Sequence, residues 1–160
     1  MSQPQVGIMM GSKSDLEIMK AAAAILDDFG ITYEMKVLSA HRTPVECVEF
    51  VEKISNEGGK AFICGAGLSA ALPGVVAAHT LLPVIGIPLD AGTLGGMDAL
   101  LSVAQMPPGV PVGCVAIGKV GAKNAGLLVA RILGLSDDMI TKKLEKFRDD
   151  QKEQILNTEL

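Results

Sequence analysis

The strongest constraint on the fold of this chain is a repeated alternation: a short apolar run that stops at a glycine or a small polar loop, then a stretch with apolar residues at helical spacing. Val6-Gly7-Ile8-Met9-Met10 is the first run, and it stops at Gly11 as a buried parallel strand entering a turn does. Ser14, with Glu17 three residues on, reads as a helix cap. Leu16, Ile18, Met19, Ala22, Ala23, Ile25 and Leu26 supply that helix with an apolar stripe, which Gly30 ends. A second strand, about Thr32 to Leu38, leads into Ser39-Ala40-His41-Arg42-Thr43-Pro44. There Thr43, Pro44 and Glu46 predict a cap, a first-turn proline and a capping-box partner for a helix reaching Gly58-Gly59.

The pattern continues with a third strand, Ala61 to Cys64, which opens into Gly65-Ala66-Gly67-Leu68-Ser69 and a short apolar helix to about Thr80. Val84 to Ile87 predicts a fourth strand, Met97 to Ala104 a helix and Val112 to Ile117 a fifth strand. Ala122 to Leu133 and Ser136 to about Leu156 close the chain as helices, the last one charged and amphipathic. There is no internal repeat or linker, so residues 1–160 read as a single domain.

Strands that alternate with helices form a parallel sheet covered on both faces, with right-handed crossovers. The fold class is therefore α/β, a three-layer sandwich: a flavodoxin-like doubly wound parallel sheet of order 2-1-3-4-5, with a C-terminal helix. That order sets the loops after strands one, two and three side by side at the topological switch point, where ligands bind in such sheets.

Charge narrows the partners. The sequence carries a formal net charge of -4, which argues against a protein that coats nucleic acid, since that requires a basic face. Between Lys60 and Lys119 the only Asp, Glu, Lys or Arg residues are Asp90 and Asp98. Pro73, Pro83, Pro88, Pro107, Pro108 and Pro111 break this stretch, so it does not read as a membrane span. One small domain has too little interior to hide it all, and a homo-oligomer is expected to cover the rest. The first residues show no basic segment followed by an apolar one, which leads to the expectation of a cytoplasmic protein. Cys47, Cys64 and Cys114 have no metal-ligand spacing and read as buried thiols in a reducing compartment.

The three switch-point loops carry the chemistry. Gly11-Ser12-Lys13-Ser14-Asp15 offers backbone N–H groups, two hydroxyls and a helix N-terminus, which suit a phosphate or a ribose hydroxyl, with Asp15 an acceptor for ribose hydroxyls. An ordinary capped turn has the same composition. In the second loop Arg42 supplies a charged fork for phosphate, and His41 carries the imidazole suited to proton transfer near neutrality. His79, near the end of an apolar helix, reads as a helix-end or interface histidine and is assigned no chemistry. None of the loops matches a Walker motif or a full dinucleotide fingerprint.

Taken jointly and in order, these segments resemble a known family. Gly11-Ser12-Lys13-Ser14-Asp15, Ser39-Ala40-His41-Arg42-Thr43-Pro44, Ala66-Gly67 with Leu72-Pro73-Gly74, Pro83-Val84-Ile85-Gly86-Ile87-Pro88, and Gln105-Met106-Pro107 with Gly109-Val110-Pro111-Val112-Gly113 are similar to the class I PurE-like carboxyaminoimidazole ribonucleotide mutases of purine biosynthesis. The resemblance runs from about Val6 to Leu133. It implies a flavodoxin-like subunit of a homo-octamer, active sites at subunit contacts, and no metal or organic cofactor. The reaction it implies moves a carboxylate from the exocyclic nitrogen to the ring carbon of an aminoimidazole ribonucleotide. By the same resemblance His41 is the catalytic residue, Ser12, Ser14, Asp15, Ser39 and Arg42 hold phosphate and ribose, and the backbone of Ala66, Gly67 and Leu68 lies near the carboxylate.

One departure bears on the reaction. The family pattern Ala-Gly-Gly-Ala-Ala-His-Leu-Pro-Gly appears here as Ala66-Gly67-Leu68-Ser69-Ala70-Ala71-Leu72-Pro73-Gly74, with Ala71 in the histidine's place. The contact that histidine makes is missing or is supplied by Ser69 or water. A direct aminoimidazole ribonucleotide carboxylase using free carbon dioxide is thus an alternative, since relatives of that kind also lack the histidine. They tend, however, to carry Lys at the place of Arg42 and lack the Leu-Pro-Gly and Gln-Met-Pro segments. A non-catalytic ribonucleotide-binding module is a second alternative. A flavin-dependent electron carrier is disfavoured, because Tyr33 is the only Tyr and there is no Trp to stack on a flavin.

Overall fold

The computed structural model describes residues 3–159. Its elements run β1 (Val6–Met10), α1 (Leu16–Phe29), β2 (Tyr33–Val37), α2 (Pro44–Asn56), β3 (Ala61–Gly67), α3 (Leu72–Ala78), β4 (Val84–Leu89), α4 (Met97–Ala104), β5 (Gly113–Cys114), α5 (Gly118–Gly134) and α6 (Asp138–Leu156). The five strands form one sheet in the order β2-β1-β3-β4-β5, every pair parallel. This is the expected doubly wound arrangement.

Apolar alternation along the strands divides the core in two. Ile8, Met10, Ile63, Ile85, Ile87 and Leu89 face the layer of α1 and α5, where Met19, Leu26, Ala125 and Val129 meet them and α6 adds Ile140. Met9, Phe62, Cys64 and Val84 face the other way, onto Cys47, Phe50, Val51 and Ile54 of α2, Val76 of α3, and Ala99 and Val103 of α4. The central strands β1, β3 and β4 are buried on both faces, which explains their unbroken apolar runs. Gly30 stops α1 as expected, in a left-handed conformation with φ 74°.

Several local expectations are corrected. The cap of the first helix is not Ser14 with Glu17. Ser12 caps a 3₁₀ turn over Lys13–Asp15 in a capping box with Asp15, and α1 continues from it, while Glu17 pairs with Lys20 on the surface. Thr43 stands before Pro44 but makes no side-chain cap to α2. β3 and β4 extend beyond Cys64 and Ile87, because flanking strands continue the ladder across the small residues Gly65, Ala66 and Pro88. β5 is two residues long rather than six, since only Gly113 and Cys114 pair with β4 at the sheet edge. Cys47 and Cys64 are buried, but Cys114 is only half-buried.

Ile63, fully buried in the middle of the sheet, touches both the strand ladder and the α1–α5 layer. Ile63→Ala is expected to cost about 3 kcal/mol of unfolding free energy, read as a lowered denaturant midpoint at constant slope.

Candidate active site

The strand order brings the C-terminal ends of β1, β2 and β3 to one edge of the sheet, and a cavity of about 510 Å³ opens there. That size suits a small-molecule ligand. Its walls include Ser12, Ser14 and Asp15 after β1, Ser39, His41 and Arg42 after β2, and Ala66, Gly67 and Leu68 at the end of β3. Every residue assigned a catalytic or binding role from the sequence therefore lines one space.

The first loop is organised by its own polar groups. The Ser12 N–H donates to Asp15 Oδ2 at 3.1 Å, the Ser14 N–H donates to Ser12 Oγ at 3.3 Å, and the Ser14 hydroxyl donates to Ser12 Oγ at 2.8 Å. These bonds hold the two hydroxyls and the carboxylate as one cluster at the start of α1, where the helix dipole favours an anion. Asp15 retains acceptor capacity, because a carboxylate has about four lone-pair sites and the loop uses only some of them.

The second loop is tied both to itself and to the first. Thr43 Oγ1 accepts from the Ser39 N–H at 2.8 Å and donates to the Ser39 carbonyl at 3.1 Å, closing the turn that carries His41 and Arg42. This is what Thr43 does in place of capping α2. Arg42 then reaches across, donating from Nη2 to the Gly11 carbonyl at 2.7 Å and from Nε to Ser39 Oγ at 3.2 Å. The guanidinium is thereby aimed by two bonds while its remaining N–H groups stay available to a ligand. The His41 ring is exposed and has no hydrogen-bond partner among the described residues.

The third wall is mostly backbone and small apolar side chains. Leu68 has φ 55°, a left-handed conformation that costs a branched residue about 1–2 kcal/mol and that the following turn maintains. Gly67 is needed for close approach: a Cβ there would lie 2.6 Å from Ala91 Cβ, on the loop after β4. Ala91 also lines the cavity and was not singled out from the sequence. The strand order contains the signal, because β4 lies beside β3 and its C-terminal loop must abut the third loop. Ser69 and Ala71 line the cavity too, with the Ala71 N–H donating to the Ser69 carbonyl at 2.7 Å.

The cysteines supply no nucleophile. Burial pushes the thiols of Cys47, Cys64 and Cys114 up, which keeps them protonated near neutrality. Among the described residues no group of three or more His, Cys, Asp and Glu side chains is arranged to hold a metal ion. His79 lies away from the cavity, exposed at the end of α3.

A family model described as AIR carboxylase matches residues 5–154. This chain belongs to the AIR carboxylase family. Within that family, the N5-carboxyaminoimidazole ribonucleotide mutase of Vibrio parahaemolyticus is 53% identical over 152 residues, covering 95% of this chain and 94% of the relative. The mutase of Bacillus subtilis is 52% identical over 156 residues, covering 98% and 96%. The crystal structure of Treponema denticola PurE superposes with a TM-score of 0.87 at 32% identity, covering 96% of this chain and 94% of that one.

Thr43→Val keeps the shape of the side chain but leaves the Ser39 N–H of this AIR carboxylase family member unpaired in a half-buried loop. It is expected to lower stability by about 1–2 kcal/mol, checked by chemical denaturation.

Proposed function

We propose that this protein is an N5-carboxyaminoimidazole ribonucleotide mutase of purine biosynthesis, converting the N-carboxylated aminoimidazole ribonucleotide to its ring-carboxylated isomer. The observation that carries this reading is the free His41 ring beside Arg42, which is itself fixed between the first two loops. The high identity to relatives named as mutases supports it.

On this reading Ser12, Ser14, Asp15, Ser39 and Arg42 bind the ribose phosphate, Arg42 through its free N–H groups and Asp15 through ribose hydroxyls. The backbone of Ala66, Gly67 and Leu68 lies against the carboxylate. The reaction is redox-neutral. His41 in its protonated form gives a proton to the exocyclic nitrogen as the nitrogen–carboxylate bond breaks, its electron pair staying on nitrogen and carbon dioxide being released. The ring carbon then attacks that carbon dioxide, forming the new carbon–carbon bond, and gives up its proton to the now neutral His41. The imidazole ends as it began, so the chemistry calls for proton transfers alone and no cofactor.

The same reading makes the chain a one-domain subunit of a cytoplasmic homo-octamer. Leu68, Leu81, Leu94, Met97 and Leu101 remain exposed on the single chain, all within the stretch that holds only Asp90 and Asp98 as charges. Apolar surface on this scale favours cover by further copies. No helix among the described residues is long and apolar enough to cross a membrane.

Purified protein supplied with the carbamate substrate is expected to form the ring-carboxylated product, followed by absorbance. Turnover only from the uncarboxylated ribonucleotide with bicarbonate would make it a direct carboxylase, and binding without turnover of either would make it a ribonucleotide-binding module. His41→Asn is expected to lower kcat about 10³-fold with ribonucleotide affinity little changed. Light scattering is expected to report eight subunits per particle, and a monomer would remove the assembly proposal.

A further inference from the structure

The polar side chains of the cavity are unevenly placed. Ser12, Ser14, Asp15, Ser39, His41 and Arg42 all stand on the loops after β1 and β2, while the opposite wall, Ala66 to Leu72 with Ala91, carries a single polar side chain, Ser69. The serines of the first two loops are engaged. Ser12 Oγ accepts from Ser14, the Ser14 hydroxyl donates within that cluster, and Ser39 Oγ accepts from Arg42. Ser69 differs: its carbonyl accepts from the Ala71 N–H, but its hydroxyl is exposed and has no hydrogen-bond partner among the described residues. Its position is set from both sides, by the left-handed backbone of Leu68 and by that bond to Ala71. Ala71 contributes only a methyl group to the same wall, so nothing else there competes to donate from a side chain.

We infer that the Ser69 hydroxyl is the side-chain donor to the migrating carboxylate, holding it, and the carbon dioxide it becomes, against the ring carbon. This rests on the mutase reading above. A substrate whose phosphate and ribose are held on the polar side presents its reacting group to the opposite wall. There the backbone N–H groups of the third loop and one hydroxyl are the donors available to a carboxylate oxygen. Ser69 exchanges no proton in the balance of the reaction; its hydrogen bond weakens as the carboxylate becomes neutral carbon dioxide and strengthens again when the new bond closes. Its effect therefore falls on the fate of the carbon dioxide.

The test follows the carbamate substrate to both of its products in wild type, Ser69→Ala and Ser69→Thr, corrected for spontaneous decay. In Ser69→Ala the share leaving as uncarboxylated ribonucleotide is expected to rise several-fold, and kcat/KM for the ring-carboxylated product to fall by about ten- to a hundredfold, the range for one hydrogen bond to a charged group. Affinity for the uncarboxylated ribonucleotide and the unfolding midpoint should stay unchanged, and Ser69→Thr should recover most of the coupling. An unchanged product ratio in Ser69→Ala overturns the inference, as does a parallel loss of affinity for the uncarboxylated ribonucleotide, which would place the hydroxyl on ribose or phosphate. Failure of the wild type to turn over the carbamate would instead sink the mutase reading, so the two failures are distinguishable.

Discussion

The cavity depends on β1 being paired in parallel on both sides, with β2 and with β3. That register puts Met10 opposite Val37 on one side and opposite Gly65 on the other, so three strands end close to level and their following loops converge. Parallel pairing needs long crossovers, and here α1 carries the chain from β1 out to β2 while α2 carries it back past β1 to β3, so right-handed crossovers put the two helices on opposite faces of the sheet. At the switch point between β1 and β3, α1 and α3 leave to opposite faces, and the cleft opens between them. One hydrogen bond then spans it: Arg42 on the second loop donates to the carbonyl of Gly11 on the first, so a change in either loop is felt by the charged group that both position.

Most of the architecture was legible because it rests on periodicity. The apolar runs at Val6 to Met10 and Val84 to Ile87, and the stripes on α1 and α5, reflect burial on two faces or one, and burial is what sequence pattern records most directly. Features that depend on a competition between partners were not legible. Ser12 and Ser14 both have a hydroxyl near the start of α1, and which one caps is decided by the 3₁₀ turn and by the reciprocal bond from the Ser12 N–H to Asp15. Thr43 faces a similar choice, and the turn that closes on Ser39 satisfies both its donor and its acceptor, which a cap on α2 would not. β5 misled for another reason. Val112 to Ile117 has the composition of a strand, but at the sheet edge only a short part of it finds a neighbour.

At the site, sequence placed residues better than it could assign their work. His41 and Arg42 adjoin in the chain, yet one is left free and the other is tied by two bonds, a difference that comes from where Gly11 and Ser39 lie in space. The third wall is less transparent still. Its glycine and alanine content reads equally as a tight strand-to-helix turn, and only the strand order shows that Ala91 packs against Gly67 and closes the cavity from the β4 side. The strained Leu68 has no sequence signature at all, since nothing in its composition marks a leucine for positive φ.

The two walls also differ in what they can do for a reacting group. Donors on the first two loops are held in bonded clusters, so on the proposed mutase reading they present fixed geometry to a phosphate and ribose that do not change during the reaction. A carboxylate that detaches as neutral carbon dioxide and reattaches elsewhere changes both charge and position, and a strongly bound anion at that point would be slow to leave. The apolar surface of Ala66, Ala70, Ala71 and Leu72 imposes little such penalty. Fixed polarity on one side and sparse polarity on the other thus suits the carboxylate migration proposed for this site. It follows from the composition of three adjacent loops in the order in which β2, β1 and β3 present them.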